Sequence, residues 1–292
     1  MTTTDIKQQV TDTVIAALEN VTGRFQMPFL QGATGLSKNI ASGKHYRGVN
    51  VLLLGLAGYA SPVWGTYKQW QAKGAQVKRG EKATGIVFWK RLDGEDKDGE
   101  EYSYMMARGY KVFNSQQVDG WDFEAPTTQP DATETVTRMD EFFANLKIRT
   151  ETGSGRAFYS PSQDFVSLPP DADFLATDTS TATENKYSTV AHEYTHATGH
   201  ETRLDRDFSQ GRFGDPDYAA EELVAELGAA MILSYQGLTS EVRDDHVKYV
   251  KGWLKALKND KNFIFTAASK SQAALDWMIE QQPVTEAIKE AA

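Results

Sequence analysis

The stretch AHEYTHATGH, residues 191–200, constrains this chain more than any other part of its sequence. Three of the five histidines, His192, His196 and His200, follow one another at intervals of four, and Glu193 comes directly after the first. In a helix of about 3.6 residues per turn, residues four apart lie on one face, so His192 and His196 can bind the same ion. The spacing therefore predicts a helix that carries a metal site.

The ligand types available to such a site are limited, because the 292 residues include no cysteine. A metal must then be bound by imidazole and carboxylate groups, which favours Zn²⁺, with Mn²⁺ as the alternative. With three protein ligands, zinc keeps a fourth position for water and lowers the pKa of that water. Glu193 is rotated by about 100° from His192 and would not bind the ion. It is placed to take the proton of the water and pass it to a leaving amine, which predicts a zinc-dependent metallopeptidase with Glu193 as the catalytic residue.

The third ligand is expected on a second helix, YAAEELVAEL, residues 218–227. Glu222 is the first choice. Glu226, one turn further on, would then share its face and hydrogen-bond a ligand imidazole, which fixes the tautomer of the ring. Glu222 and Glu226 could also exchange these roles. The sequence by itself leaves this choice open.

Other residues near the motif have separate predictions. His200 extends the spacing of four, but Gly199 is expected to end the helix before it, and Glu221 is expected to be solvated. The segment FVSLPP, residues 165–170, is expected to supply an edge strand that binds an extended peptide. The candidates for a donor to the developing oxyanion are Tyr159, Tyr187 and Tyr218.

Charge is distributed unevenly along the chain. The net charge is −9, yet residues 21–92 contain eleven lysines and arginines, nine aromatic residues and a single acid, Glu81. Solvated faces normally mix the two signs, so this pattern predicts a polyanionic partner. Cations interleaved with aromatic residues favour single-stranded nucleic acid, because bases stack on aromatic faces. We therefore predict non-specific binding of single-stranded DNA and weaker binding of double-stranded DNA.

The predicted DNA contacts fall in three segments, GKHYRGVN (43–50), WGTYKQW (64–70) and VKRGEK (77–82). The cations expected to contact phosphate are Lys44, Arg47, Lys68, Lys78, Arg79 and Lys82. The aromatic residues expected to stack on bases are Tyr46, Trp64, Tyr67 and Trp70. Core packing is the alternative for each aromatic side chain. Phe88 and Trp89 are expected in the core of a strand.

The order of predicted elements indicates an α+β chain of two domains. The first half is expected to contain helices over 4–20, 48–58 and 66–74 and a hairpin of strands over 85–92 and 102–113. A linker with two prolines is expected over 119–133. The second half is expected to contain a helix within TVTRMDEFFANL, two short strands over 156–170, and helices over 185–198, 216–236, 241–258 and 263–281.

No membrane segment or signal peptide is expected. The longest apolar run, residues 49–60, is far shorter than a membrane span. The N-terminus lacks both a basic start and an unbroken apolar run. A cytoplasmic protein is therefore predicted.

The motifs of both halves, in this order, resemble the ArdC-type antirestriction proteins of conjugative plasmids. The first half contributes GKHYRGVNVLLL, WGTYKQWQAKGAQVKRGEK and KVFNSQQVDG, and the second contributes AFYSPSQDFVSLPP, AHEYTHATGHETRLDR and YAAEELVAELGAAMI. The resemblance implies a single-stranded-DNA-binding domain over 1–125. It also implies a mostly helical, zincin-like metallopeptidase domain with a small sheet over 126–292.

For the site, the resemblance implies His192 and His196 as metal ligands, Glu193 as the catalytic carboxylate and a third ligand within EELVAE. For function, it implies protection of incoming mobile-element DNA from host restriction, with a protein of the host restriction machinery as a candidate substrate. Two alternatives are kept. One is a metallopeptidase that acts on DNA-associated proteins, and the other is a DNA-protective binding protein whose metal site is structural or inactive.

Overall fold

The structure is a computed structural model, and it describes residues 3–19, 35–95, 100–123, 132–177, 180–206, 216–238 and 247–283. Helices and small sheets occur in both halves of the chain, so the fold is α+β, as predicted.

The first half of the chain folds into helices around two small sheets. Its helices are α1 (Thr3–Glu19), α2 (Val49–Gly55) and α3 (Tyr67–Ala72). Its strands are β1 (Lys38–Asn39), β2 (Val63–Gly65), β3 (Gln76–Val77), β4 (Thr84–Glu95), β5 (Glu101–Asn114) and β6 (Val118–Asp119). One sheet has the order β1-β2-β5-β4, with β1 parallel to β2, and β3 pairs with β6 in the other.

Strands β4 and β5 form the predicted hairpin, an antiparallel ribbon paired from Thr84 to Glu95. Val87 packs in the main core, but the ribbon continues past that core. Phe88 is therefore 51% exposed and Trp89 40% exposed. The prediction that these two side chains belong to a strand core is wrong.

The second half contains five described helices and a three-stranded sheet. The helices are α4 (Ala132–Ala144), α5 (Ala182–Ala197), α6 (Pro216–Tyr235), α7 (Val247–Asn259) and α8 (Phe263–Glu280). The strands are β7 (Thr150–Thr152), β8 (Phe158–Ser160) and β9 (Phe165–Leu168). Their order is β7-β9-β8, with β7 parallel and β8 antiparallel to β9.

The prediction that FVSLPP supplies an edge strand is wrong. Strand β9, which contains most of that segment, is the central strand, because β7 pairs with its second edge. Strand β7 was not predicted from the sequence. Both edge strands contact α5: β8 packs against it, and the hydroxyl of Thr150 in β7 hydrogen-bonds that of Tyr194 at 2.7 Å.

Local sequence sets the ends of the helix that carries the histidines. Thr181 caps α5: its hydroxyl accepts the N–H of Glu184, whose carboxylate accepts the N–H of Thr181. The helix ends at Ala197, before Gly199 and His200, as predicted.

The main apolar core is shared by the two halves. Val10, Val14 and Leu18 of α1 are buried in the same cluster as Leu223 of α6 and Leu275 of α8. The hydroxyl of Thr11 also donates to the carbonyl of Lys261 at 3.0 Å. Most of the predicted linker, with the boundary near residue 125, lies outside the described residues. Within the described ranges, no helix has both the length and the apolar character that a membrane span requires.

Candidate metal centre and DNA-binding surface

Helices α5 and α6 pack closely, and a glycine makes this possible. A Cβ atom on Gly228 of α6 would lie 2.5 Å from Cγ2 of Thr195 on α5, so only glycine allows this approach. Thr195 directly precedes His196 on α5, and Gly228 lies six residues after Glu222 on α6. It brings the imidazoles of α5 within reach of the carboxylates of α6.

Three donor groups converge between the two helices. Single donor atoms of His192, His196 and Glu222 all lie within 4.8 Å of one another. The two histidine Nε2 atoms are 3.1 Å apart. Each of them lies 3.7 Å from a carboxylate oxygen of Glu222.

These distances fit a divalent ion. Ligand atoms at about 2.0–2.1 Å from a tetrahedral ion lie about 3.3 Å from each other, which is close to the separations found here. Two imidazoles and a carboxylate are also a donor set that zinc and similar ions accept.

Each histidine has a second carboxylate at its other ring nitrogen. Nδ1 of His192 lies 2.9 Å from Oε1 of Glu226. Nδ1 of His196 lies 3.1 Å from Oε1 of Glu221. In both rings Nε2 is thereby directed toward Glu222. This is the arrangement in which outer carboxylates set the tautomer and orientation of ligand imidazoles.

Glu221 is buried, which corrects the prediction that it is solvated. Its side chain is 7% exposed and forms a bidentate ion pair with Arg206, whose side chain is 3% exposed. Arg206 also donates to the hydroxyl of Thr198 and to the carbonyl of Thr195, both at 2.6 Å. A Cβ atom on Gly199 would lie 2.9 Å from this guanidinium group, so glycine is required there for packing.

The charges of this network shift the pKa values of its members. Burial alone would raise the pKa of Glu221, but hydrogen bonds from His196 and Arg206 outweigh it and lower the pKa to about 2. Burial alone would lower the pKa of His196. The hydrogen bond with Glu221 and the nearby carboxylates, Glu222 first among them, outweigh burial and raise that pKa to about 9. The centre thus attracts positive charge.

Glu193 lies on α5 next to these groups. Glu193 is 5% exposed, and its negative charge contributes to the raised pKa of His196. A buried carboxylate close to the two imidazoles is placed to exchange a proton with a small molecule bound between the helices.

The remaining predicted site residues are the three tyrosine candidates and His200. The hydroxyl of Tyr187 donates to Asp140 at 2.8 Å and lies 3.0 Å from the carbonyl oxygen of Val136, and that of Tyr159 donates to Asp164 at 2.9 Å. Tyr218 is half-buried and lies one turn before Glu222 on α6. His200 contacts Thr202 and is not part of the three-donor cluster.

The roles of Glu221 and Arg206 at the centre were not predicted from the sequence. The signal for Glu221 was present: from residue 218 to 235, α6 contains three charged residues, all glutamates, amid apolar and small side chains. A helix with so few polar residues has no solvent face to which a glutamate could turn. Arg206 lies in the segment after α5, and no spacing rule connects it to Glu221.

The six predicted phosphate contacts are all exposed, namely Lys44, Arg47, Lys68, Lys78, Arg79 and Lys82. The segments that carry five of them are hydrogen-bonded to one another. The backbone N–H of Asn39 donates to the carbonyl of Lys44 at 2.9 Å, and the side-chain amide of Asn39 donates to Oε1 of Gln69 on α3 at 3.1 Å. Tyr67 on α3 accepts a bond from Gln76, which precedes the segment 77–82. Arg47 lies apart from this group and is paired with Asp276 of α8.

The predicted stacking residues divide into two groups. Tyr67 is 42% exposed, but Tyr46, Trp64 and Trp70 are at most 5% exposed. A base cannot stack on a ring that is enclosed by protein, so the prediction for these three is wrong. Trp70 instead fills a small core and donates its indole N–H to the carbonyl of Phe113 at 2.9 Å.

Comparison with known proteins identifies both halves. A family model of the N-terminal domain of anti-restriction factor ArdC matches residues 4–113. A model of a zincin-like metallopeptidase matches residues 137–270. The crystal structure of the antirestriction protein ArdC from plasmid R388, in its metal-free form, superimposes with a TM-score of 0.77 at 38% identity, covering 95% of this chain and 97% of that one. The chain belongs to the ArdC family of antirestriction proteins.

Other similar proteins extend the comparison. The Mn(II)-bound structure of the R388 protein has a TM-score of 0.73 at 37% identity and covers 94% of this chain and 97% of that one. An uncharacterized protein of Sinorhizobium fredii, y4eC, is 42% identical over 96% of this chain and 94% of its own length. The DNA primase TraC of Escherichia coli is 35% identical over 96% of this chain, which spans 28% of TraC.

Proposed function

We propose that this protein is an antirestriction protein that binds single-stranded DNA and contains an active metallopeptidase centre. His192, His196 and Glu222 are the proposed metal ligands, and Glu226 and Glu221 orient the two imidazoles. The observation that carries the proposal is the convergence of three donor atoms within 4.8 Å between α5 and α6. Zinc is the proposed ion because of the ligand types. The Mn(II)-bound structure of the R388 protein makes manganese the alternative.

The proposed chemistry is hydrolysis of a peptide bond. A bound divalent ion would polarise the carbonyl and acidify a water molecule. Glu193 accepts the proton from the attacking water and donates it to the leaving amine. Strand β8 offers an edge beside α5 along which an extended peptide can add as a further strand.

The proposed role of the first half is to hold single-stranded DNA that enters the cytoplasm, with double-stranded DNA bound more weakly. The support is a surface of exposed cations on hydrogen-bonded segments with few acids, together with the exposed ring of Tyr67 as a stacking residue. Binding would shield incoming mobile-element DNA from host restriction, with a protein of the restriction machinery as the proposed substrate.

The Glu193→Gln variant tests whether hydrolysis is used. The amide keeps the shape of the side chain but cannot accept the proton, so we expect metal content and DNA affinity to stay unchanged while peptide hydrolysis is lost. Glu201→Gln, at an exposed position close to the centre, is the matched control. Protection of incoming DNA is then measured with both variants.

The outcomes separate the three functions. Loss of protection with Glu193→Gln supports the active peptidase. Full protection would favour a DNA-protective protein whose metal site is structural or inactive. Hydrolysis of DNA-associated proteins without any protection by the parent would favour the plain metallopeptidase.

A salt titration tests the DNA-binding half. Affinity for single-stranded DNA should fall steeply between about 50 and 200 mM salt, because phosphate contacts release counterions. Charge reversal at Lys44 and Lys68 should flatten this dependence. A parent protein with the same affinity across that range would refute the proposed DNA binding.

A further inference from the structure

A cleft of about 710 Å³ lies between the two halves of the molecule. One wall is formed by α1, the start of α2 and β4, and the other by α8. Its volume is within the range of about 300–1,000 Å³ that is typical of small-ligand sites. The side chains that matter for its chemistry are Lys7, Arg47, Trp89, Phe265, Lys270 and Gln272.

Two polar contacts join the walls of the cleft. Arg47 forms an ion pair with Asp276 of α8. The backbone N–H of Gly48 donates to the side chain of Gln272 on α8 at 3.0 Å. The cleft is therefore a fixed feature of the fold, and a ligand would enter it without first bringing the halves together.

The charge of the cleft suits an anion. Three cations line it, Lys7, Arg47 and Lys270, against one acid, Asp276. The side chain of Arg47 is still 63% exposed in its ion pair, so a ligand in the cleft can reach it. A phosphate group entering the cleft would meet an excess of positive charge.

An aromatic ring stands beside these cations. Trp89 is 40% exposed, although it packs edge-on against Phe265 at 5.9 Å between ring centroids. Nζ of Lys7 lies 5.2 Å from the centroid of the indole. These contacts fix the orientation of the ring and leave part of it open to the cleft. Fixed aromatic rings next to cations are the recurring elements of single-strand binding sites.

We propose that the cleft binds a nucleotide of the single strand, with the base on Trp89 and phosphate on Arg47 and Lys270. This inference rests on the proposed function and adds to it that the metallopeptidase domain itself holds DNA through α8. A strand on the basic surface of the first half would then cross the junction toward the second. Bound DNA and a protein attached to it would be held beside the peptidase domain.

The test uses the full chain and a fluorescently labelled oligothymidine, with affinity measured by anisotropy. Trp89→Ala should weaken binding by about 5- to 150-fold, the effect of losing one stacked base. Trp89→Phe should restore most of the affinity, because the smaller ring can still stack. Tyr102→Ala is the matched control, since Tyr102 is 49% exposed near the tip of the hairpin.

A second variant tests the contribution of α8. Lys270→Gln should reduce the steepness of the salt dependence by about 0.7, the value of one phosphate contact with a single strand. Lys255→Gln, exposed on α7 away from the cleft, should leave the slope unchanged. Lys270 is partly exposed, so Lys270→Gln is expected to fold. It therefore tests the cleft even if Trp89→Ala unfolds the protein.

The outcomes distinguish this proposal from the proposed function. A parent that binds DNA while Lys270→Gln and folded Trp89 variants bind within twofold of it would overturn the cleft and leave the DNA-binding function intact. A parent that does not bind single strands would overturn both.

Discussion

Nδ1 of His196 donates a hydrogen bond to Glu221 at 3.1 Å, while Nε2 of the same ring points toward Glu222. Because the pKa of Glu221 is lowered to about 2, this carboxylate is ionised and acts only as an acceptor. The proton of the imidazole is therefore fixed on Nδ1, and a lone pair on Nε2 becomes available to a metal when the ring is neutral.

Glu221→Gln is expected to weaken metal affinity by about 10- to 100-fold, because outer partners of ligand histidines have effects of this size. The amide holds His196 less firmly and leaves Arg206 without its counter-ion. Affinity is measured by competition with a chromogenic chelator, well below the unfolding temperature of the variant. Glu201→Gln is the control, and equal affinities for the two variants would contradict the positioning role of Glu221.

Gly228→Ala is expected to destabilise the protein, although alanine is the better helix former by about 1 kcal/mol. The added methyl group would lie 2.5 Å from Thr195, and overpacking of this kind costs about 1–3 kcal/mol. Urea unfolding measures the change. Adding Thr195→Ala should recover part of the loss.

Gly252→Ala provides the matched control for that clash. Gly252 lies inside α7, and its Cβ atom would meet Ala219 at an ordinary 3.7 Å. This change is expected to be neutral or stabilising. Equal effects at positions 228 and 252 would show that α5 and α6 do not need the glycine.

Trp70→Ala is expected to lower mainly stability, and Tyr67→Ala mainly affinity for DNA. Trp70 is fully buried, so its removal should cost about 3–5 kcal/mol of unfolding free energy. Tyr67 is 42% exposed, so its removal should mainly lower affinity for single-stranded DNA, by about 5- to 150-fold. Urea unfolding and anisotropy are measured on both variants. A stable Trp70→Ala variant with lost DNA binding would reverse this assignment.

Asp164→Asn is expected to destabilise the protein at neutral pH and much less in acid. Burial would raise the pKa of Asp164, but bonds from Arg203 and Tyr159 outweigh it and the pKa is lowered from 3.8. A lowered folded-state pKa stabilises the protein above pH 3.8, and this contribution is lost as the pH falls below that value. The stability difference from the parent, measured by urea unfolding between pH 7 and pH 3, should narrow.

Asparagine isolates the charge in that experiment. Asp164 has a φ of 48°, in the left-handed region, which asparagine also adopts readily. The change therefore removes the ion pair with Arg203 and adds little backbone strain. A difference that stays constant with pH would show that the charge of Asp164 is not the cause.

Local patterns predicted the parts of the centre that lie within one helix. The spacing of His192 and His196 follows from helical geometry, and the end of α5 before His200 follows from its local sequence. The hairpin and the helix over residues 4–20 were likewise predicted from short-range periodicity. Each of these features depends on residues that are close in the chain.

Contacts between distant segments decided the rest. Which of three neighbouring glutamates faces Nε2 depends on how α6 rotates against α5, and Gly228 and Thr195 set that packing. The burial of Trp70 depends on β5, whose Phe113 accepts its indole N–H, and the exposure of Trp89 depends on how far the hairpin extends past the core. The sequence determined which chemical groups lie on each helix and segment. Tertiary packing decided which of them face one another, because burial is set by surfaces that are far apart in the chain.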